Sequence, residues 1–245
     1  MIKQEDKIWK DWKNHFLSKS KREFPNHYEE KAIPDIYKKE LIHTLSILLQ
    51  GETGEGRIIK QMKNSKLHRG DDYLEALDLF VKEEGRHARL LNTCLIALGE
   101  RERMPHLSSK FFTWVRGIIG PIFKLLVLFS AEVMAVLFYG ALSEKLYGTP
   151  TGRILKEIFE DENDHLEFHL DFFRTMEKGI FIKNFYYFLI YIGTILSFLV
   201  IIYDQKRTLK LLKISYEKLW KDLKNLQNRI RINLLNNYTL ERSSI

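Results

Sequence analysis

EEGRH at Glu83–His87 and DENDH at Asp161–His165 are the two stretches on which the reading of this chain turns. Each holds a Glu-x-x-His step with a second acid directly before it. Residues three apart on a helix share a face, so Glu84 projects beside His87 and Glu162 beside His165. Both stretches lie deep inside segments whose apolar residues recur at three- and four-residue steps, the mark of a buried helical face. An acid and an imidazole that repeat together at such depth need a chemical reason.

The surrounding chain reads as helix throughout. Ile8, Trp9, Trp12 and Phe16 predict a short amphipathic helix, closed off by the region from Pro25 to Pro34. A long helix is expected from about Asp35 to Lys66. A second starts at Asp72, with Glu75 three residues on as a capping-box variant, and stops near Gly99. Ser108 to Gly120, with Phe111, Phe112 and Trp114, reads as a connector. A third helix runs from about Pro121 to Tyr147, and Gly148-Thr149-Pro150 supplies a stop, a cap and a first-turn proline for a fourth, ending near Lys178. No run alternates at period 2 and no Asn-Gly hairpin signal occurs. Short links make the first and second helices, and the third and fourth, antiparallel neighbours. The expected organisation is an N-terminal helix and linker over 1–33, a four-helix unit over 34–178, and two further helices over 179–245.

The other two helices each carry an acid at the same depth. Glu132 stands alone in LLVLFSAEVMAVLF, and Glu52 lies on the apolar face of LLQGETGEG, Leu48–Gly56. The Glu52-to-Glu84 spacing is 32 residues (84 minus 52) and the Glu132-to-Glu162 spacing is 30 (162 minus 132), so two similar hairpins bring the acids level. Four buried carboxylates without cations are prohibitively costly, whereas two divalent ions bring the site to about neutrality. Four carboxylates with two imidazoles suit hard-to-borderline metals, iron or manganese, rather than a thiolate metal. A third Glu-x-x-His, Glu40 with His43, sits about 18 Å from the Glu52 level by helix rise and is assigned to packing or solvent.

In order, Glu52, Glu84-x-x-His87, Glu132 and Glu162-x-x-His165 resemble the ligands of the ferritin-like di-iron carboxylate superfamily, which includes bacterioferritins, rubrerythrins and bacterial di-iron oxygenases. The resemblance covers about residues 35–178. It implies an all-α fold: a ferritin-like four-helix bundle with an extra N-terminal helix and C-terminal apolar and amphipathic helices. It also implies that Glu52, Glu84, His87, Glu132, Glu162 and His165 bind two iron ions, with manganese as the alternative. Asp161 becomes the partner of His87, and the same logic pairs Glu83 with His165, since metal-bound imidazoles donate their other N–H to an acid. Glu55 becomes a supporting acid or an alternative to Glu52. The implied activity is oxidation or hydroxylation of a small apolar substrate by dioxygen, with electrons from a donor protein. Ferroxidase or peroxide chemistry is the second reading, and a metal-free membrane or partner adaptor the third. Gly51, Gly54, Gly56 and Gly85 would serve close packing, a local helix distortion, or space for dioxygen and substrate. Leu128, Phe129, Met134, Ala135 and Phe138 are the expected wall of that space.

Composition narrows the setting. The single cysteine, Cys94, excludes a site built from several thiolates and reads as a small core residue. From Asp204 onward there are 10 Lys/Arg and 4 Asp/Glu, a balance of +6 out of a total of +7. No nucleic-acid motif accompanies this basic tail, so no nucleic acid is expected. The charged N-terminus reads as cytoplasmic rather than as a signal peptide. Phe185 to Tyr203 is a run of 19 uncharged residues, just long enough to span a bilayer. Burial in the fold, burial in an oligomer such as a homodimer, or shallow membrane contact through residues 185–245 is preferred over a span. Leu209, Leu212, Tyr216, Leu219, Leu223, Leu226 and Ile230 read as one continuous seam at steps of three and four.

Overall fold

The computed structural model describes residues 2–23, 32–53, 57–100, 121–176 and 179–235, and every regular element among them is a helix. In chain order these are α1 (Ile2–Lys19), α2 (Asp35–Gly51), α3 (Arg57–Lys63), α4 (Asp71–Ala97), α5 (Pro121–Lys145), α6 (Pro150–Thr175), α7 (Ile180–Leu211) and α8 (Tyr216–Leu235). Glu55, with Gly54 and Gly56, and the connector holding Phe111, Phe112 and Trp114 lie outside the described residues.

The helix expected over 35–66 is broken. α2 ends at Gly51, and Glu52 forms its C-cap with an N–H bonded to the Leu48 carbonyl at 3.1 Å. Three glycines within six residues, each costing about 1 kcal/mol relative to alanine, make this the weakest stretch of the helix. Close packing is not what Gly51 and Gly85 serve. A Cβ on Gly51 would meet nothing within 4 Å, and one on Gly85 only the Arg89 guanidinium at 3.6 Å. The break instead leaves open space beside Glu52.

α4 begins one residue before its expected start. Its N-cap is Gly70, at φ +92°, and not Asp72, whose carboxylate accepts from Lys13 Nζ at 2.6 Å. The α5–α6 turn follows its sequence signal. Gly148 takes positive φ, Thr149 accepts the Gly152 N–H at 3.0 Å, and Pro150 opens α6. Here two backbones come unusually close, because a Cβ on Gly152 would lie 2.0 Å from the Leu146 carbonyl oxygen.

α2 packs on α4, α5 on α6, and α4 on α6, which brings the four acid-bearing segments together. α1 lies along α4, burying Trp9, Trp12 and Phe16, with Trp9 edge-on to Tyr73 at 4.9 Å. Cys94 is buried, as expected of a core residue. α7 packs on α5 and α2 through a narrow inner face, where a Cβ on Gly193 would come within 2.7 Å of Ser130 Oγ. The expected C-terminal seam is split. Leu209 lies in the last turn of α7, and a turn with Lys213 at positive φ follows. α8 then buries Leu219, Leu223, Leu226 and Ile230 against α5, α6 and α7, so it covers the bundle.

Among the described residues two helices are long and apolar enough to cross a membrane, and they differ in surroundings. The apolar window of α5 is 72% buried within the protein, that of α7 only 22%. Within this chain the 185–203 segment is buried only along one side, through Ile190, Thr194, Ser197 and Phe198. The outward row of α7, including Phe181, Phe185, Phe188, Leu196, Leu199 and Tyr203, is exposed.

Gly152→Ala tests the close turn. Alanine normally stabilises a helix interior, yet here the added carbon meets backbone. The expected result is a net loss of about 1–3 kcal/mol in urea unfolding.

Candidate metal centre

Glu84 and His87 come from α4, Glu162 and His165 from α6, Glu132 from the middle of α5, and Glu52 from the end of α2. All six are buried. Glu84, His87, Glu162 and His165 form a group able to hold a metal ion, with ligand atoms all within 4.8 Å of one another. His87 Nδ1 lies 3.1 Å from Glu162 Oε1 and 3.5 Å from Glu52 Oε2. His165 Nδ1 lies 2.8 Å from Glu84 Oε1, 3.5 Å from Glu162 Oε2 and 3.8 Å from Glu132 Oε2. Glu162 thus presents one oxygen to each imidazole. Glu52 completes the half around His87 and Glu132 the half around His165.

The inward atoms have no other employment. Glu84 Oε1, His87 Nδ1, Glu162 Oε1 and His165 Nδ1 are buried and make no hydrogen bond despite their closeness. Unpaired buried polar atoms cost about 1–3 kcal/mol each, and a cation is the partner this donor set lacks. Carboxylate oxygen with imidazole nitrogen, and no thiolate, fits a hard-to-borderline divalent ion.

The outward nitrogens are engaged as the sequence predicts. His87 Nε2–H donates to Asp161 Oδ2 and His165 Nε2–H to Glu83 Oε2, both at 3.1 Å. Each bond crosses from one motif to the other and turns Nδ1 inward. The acids are themselves held by α1 and its C-terminal extension. Arg22 grips Asp161 through both its nitrogens, at 2.9 and 2.7 Å, and reaches Glu83 at 2.6 Å. Lys19 Nζ donates to Asp161 Oδ1 at 2.7 Å.

Charge follows position. Burial and the nearby Glu52 and Glu162 carboxylates hold Glu84 well above the usual carboxylate range. Burial, with Glu162 and Glu84, does the same to Glu132. Burial opposes charge on His87 and His165, but the surrounding acids outweigh it and raise both. Burial would raise Asp161 too, yet the His87 and Arg22 bonds pull it far down, so it stays ionised. Protons and metal ions therefore compete for the inner atoms, while the outer acids remain charged.

Beside the acids opens a cleft of ≈ 100 Å³ between α2, α5 and α7. Glu52, Glu84, Glu132 and Glu162 line its floor, and no histidine does. Leu128, Met134, Ala135 and Phe138 line its wall as expected. Phe129 does not. It is turned away onto Phe173, with ring centroids 5.9 Å apart. Ile201 and Gln205 of α7 complete the wall. Glu40-x-x-His43 stays out of the site, with His43 Nε2 3.2 Å from the Asp204 carbonyl.

Several residues escape the sequence reading. The Tyr139 hydroxyl donates to Glu52 Oε1, and His169 lies 3.9 Å from Glu132 Oε1. Each stands seven residues beyond a ligand, Glu132 or Glu162, and that spacing on one helical face is the signal that could have found them. Lys19 and Arg22 sit in SKSKRE, whose charge pattern reads as solvated and carries no such signal.

No protein-family model, curated protein or solved structure matches the chain, so its function is argued from the site alone.

Asp161→Ala is expected to weaken divalent-ion binding about 10- to 100-fold, because His87 loses the bond that orients it. Anaerobic titration with cobalt ion measures this, and circular dichroism should show helicity retained. Affinity should also rise with pH, as protons leave Glu84, Glu132 and the two imidazoles.

Proposed function

We propose that the chain is a ferritin-like di-iron carboxylate oxidoreductase, with manganese able to replace iron. It uses dioxygen and electrons from a donor protein to oxidise or hydroxylate a small apolar substrate. One observation carries the reading: carboxylates from four helices form the floor of an apolar cleft, and beside them Glu84 Oε1, His87 Nδ1, Glu162 Oε1 and His165 Nδ1 are buried without a hydrogen-bond partner. Two ferrous ions held by Glu52, Glu84, His87, Glu132, Glu162 and His165 would supply the electrons that begin dioxygen reduction.

The chain's own residues do the rest. The four carboxylates would balance two dications, and Glu162 presents one oxygen to His87 and the other to His165. Asp161 and Glu83 fix the imidazole orientation and keep Nδ1 inward. Tyr139 holds its proton at Glu52 Oε1, on the cleft floor. The wall of Leu128, Met134, Ala135 and Phe138 excludes water and favours a nonpolar ligand.

The same reading places the protein in the cytoplasm, with α7 lying against a membrane. The α7 inner face is polar where it meets protein. Thr44 Oγ1 on α2 is 2.8 Å from Thr208 Oγ1, and Gln227 Nε2 on α8 donates to Thr194 at 2.8 Å. A helix bonded to its neighbours on one side and apolar on the other suits shallow insertion rather than a lone span. Lys183 at one end, and Lys206, Arg207 and Lys210 at the other, suit anionic lipid.

Anaerobic ferrous titration should show about two ions per chain, and Glu132→Ala should lose much of that capacity while staying helical. Dioxygen added to the diferrous protein with a lipid extract should yield a product that has gained oxygen or lost hydrogen. Accumulation of many ferric ions without such a product would favour the iron-handling reading, and absence of metal binding the adaptor reading.

Vesicle flotation tests the membrane contact. Binding to phosphatidylglycerol vesicles, little binding to phosphatidylcholine, and release by alkaline wash are expected. Resistance to that wash would indicate a span. A tight dimer that ignores vesicles would make the α7 row a subunit interface.

A further inference from the structure

His169 lies on α6, one turn beyond His165 and two beyond Glu162, and its side chain points into the same interior. It is 1% exposed, and neither ring nitrogen makes a hydrogen bond. Phe80 clamps it edge-on at 5.1 Å and Phe168 flanks it at 5.5 Å, so the ring is fixed in an aromatic setting. A phenylalanine or leucine would fill that space without burying an unpaired donor and an unpaired acceptor. An imidazole kept there at such cost points to a partner that binds nitrogen.

We propose that His169 is a third imidazole ligand of the dimetal centre, bound to the ion beside Glu132. The proposal rests on the dimetal reading and adds a ligand to it. The supporting geometry is the 3.9 Å from His169 Nε2 to Glu132 Oε1. That is too long for a hydrogen bond. It suits two ligands of one ion, since atoms each about 2.0–2.2 Å from a shared metal stand roughly 3–4 Å apart. The ligand pairs already described have the same separation, His165 Nδ1 to Glu132 at 3.8 Å and His87 Nδ1 to Glu52 at 3.5 Å.

A third imidazole makes the two halves unequal. The ion beside Glu132 then has two nitrogen ligands, His165 and the added His169, while the ion beside Glu52 has His87 alone. Imidazole is neutral, so the balance of four carboxylates against two dications is unchanged. The Glu132 half should fill first and hold its ion more tightly. All three imidazoles then back the centre from outside the cleft lining, and the carboxylates face the cleft.

Cobalt ion alone serves as the probe, in the full-length protein under anaerobic conditions. Proton NMR of the cobalt-loaded chain should show three hyperfine-shifted exchangeable imidazole N–H signals, from His87, His165 and His169. Titration of the wild type should resolve a tighter and a weaker step. His169→Phe, which preserves the aromatic packing, should remove one signal and weaken the tighter step about 10- to 100-fold. Two signals in the wild type overturn the proposal, whatever the variant's folding does. So does an unchanged titration in a folded His169→Phe. Two bound ions with two signals would leave the dimetal reading standing, whereas no cobalt binding would bring down both.

Discussion

Four carboxylates inside a helical bundle set the terms for the rest of this structure. Two like charges about 4 Å apart repel by roughly 4 kcal/mol at an effective dielectric of 20, and several such pairs meet here. Ionised groups at this depth are retained only when compensated. The molecule arranges charge in two layers. In the outer layer Glu83, Asp161, Asp164 and Glu157 face Lys19, Arg22 and Arg86, and the charges nearly cancel through direct ion pairs. The inner layer, Glu52, Glu84, Glu132 and Glu162, has only imidazoles and the Tyr139 hydroxyl for company, and no Lys or Arg among the described residues pairs with it. The inner deficit matches two divalent ions, and the histidines between the layers transmit the order of the outer one.

Much of the fold serves this arrangement. α1 brings Trp9, Trp12 and Phe16 into the core, and that packing carries Lys19 and Arg22 onto the outer acids. The tight α5–α6 turn sets Glu132 level with Glu162, and Gly152 permits the close approach on which that register depends. At the end of α2 the helix gives way one residue before Glu52. A C-cap residue is freer to aim its side chain than one locked in mid-helix, and Gly51 before it adds no side chain to the space around it.

Legibility in the sequence followed the range of each signal. The Glu-x-x-His steps, and the acids before them, are local patterns on single helices. They foretold His87 with Asp161 and His165 with Glu83 across the bundle. Glu132 was legible because a lone acid in an apolar run has no surface explanation. The break at Gly51 was visible as a weakness but not as a helix end, because glycine cost alone does not say whether tertiary packing overrides it. Gly70 took the cap assigned to Asp72, because the positive-φ turn it makes precedes any side-chain bond and Lys13 claimed the Asp72 carboxylate. Lys19 and Arg22 were illegible, since their role depends on where α1 docks. The exposure of α7 was hidden because an apolar run looks the same whether protein, a partner or lipid covers it.

Two unlike sides of the centre result. Toward α1 lie the imidazoles, the outer acids and the cations that hold them, a polar and ionised wall. Toward α2, α5 and α7 lie the carboxylate floor and an apolar cleft. Charge and protons are best handled where hydrogen-bonded groups are continuous, and a nonpolar ligand where they are absent. A substrate entering beside α7 would meet the carboxylate face without disturbing the bonds that orient the imidazoles, since those bonds lie on the opposite wall. The exposed apolar row of α7 belongs to the helix that contributes Ile201 and Gln205 to the cleft. One helix therefore joins an exposed apolar row to the cleft above the carboxylates. A fixed polar side and an apolar cleft thus occupy opposite walls of one candidate metal centre.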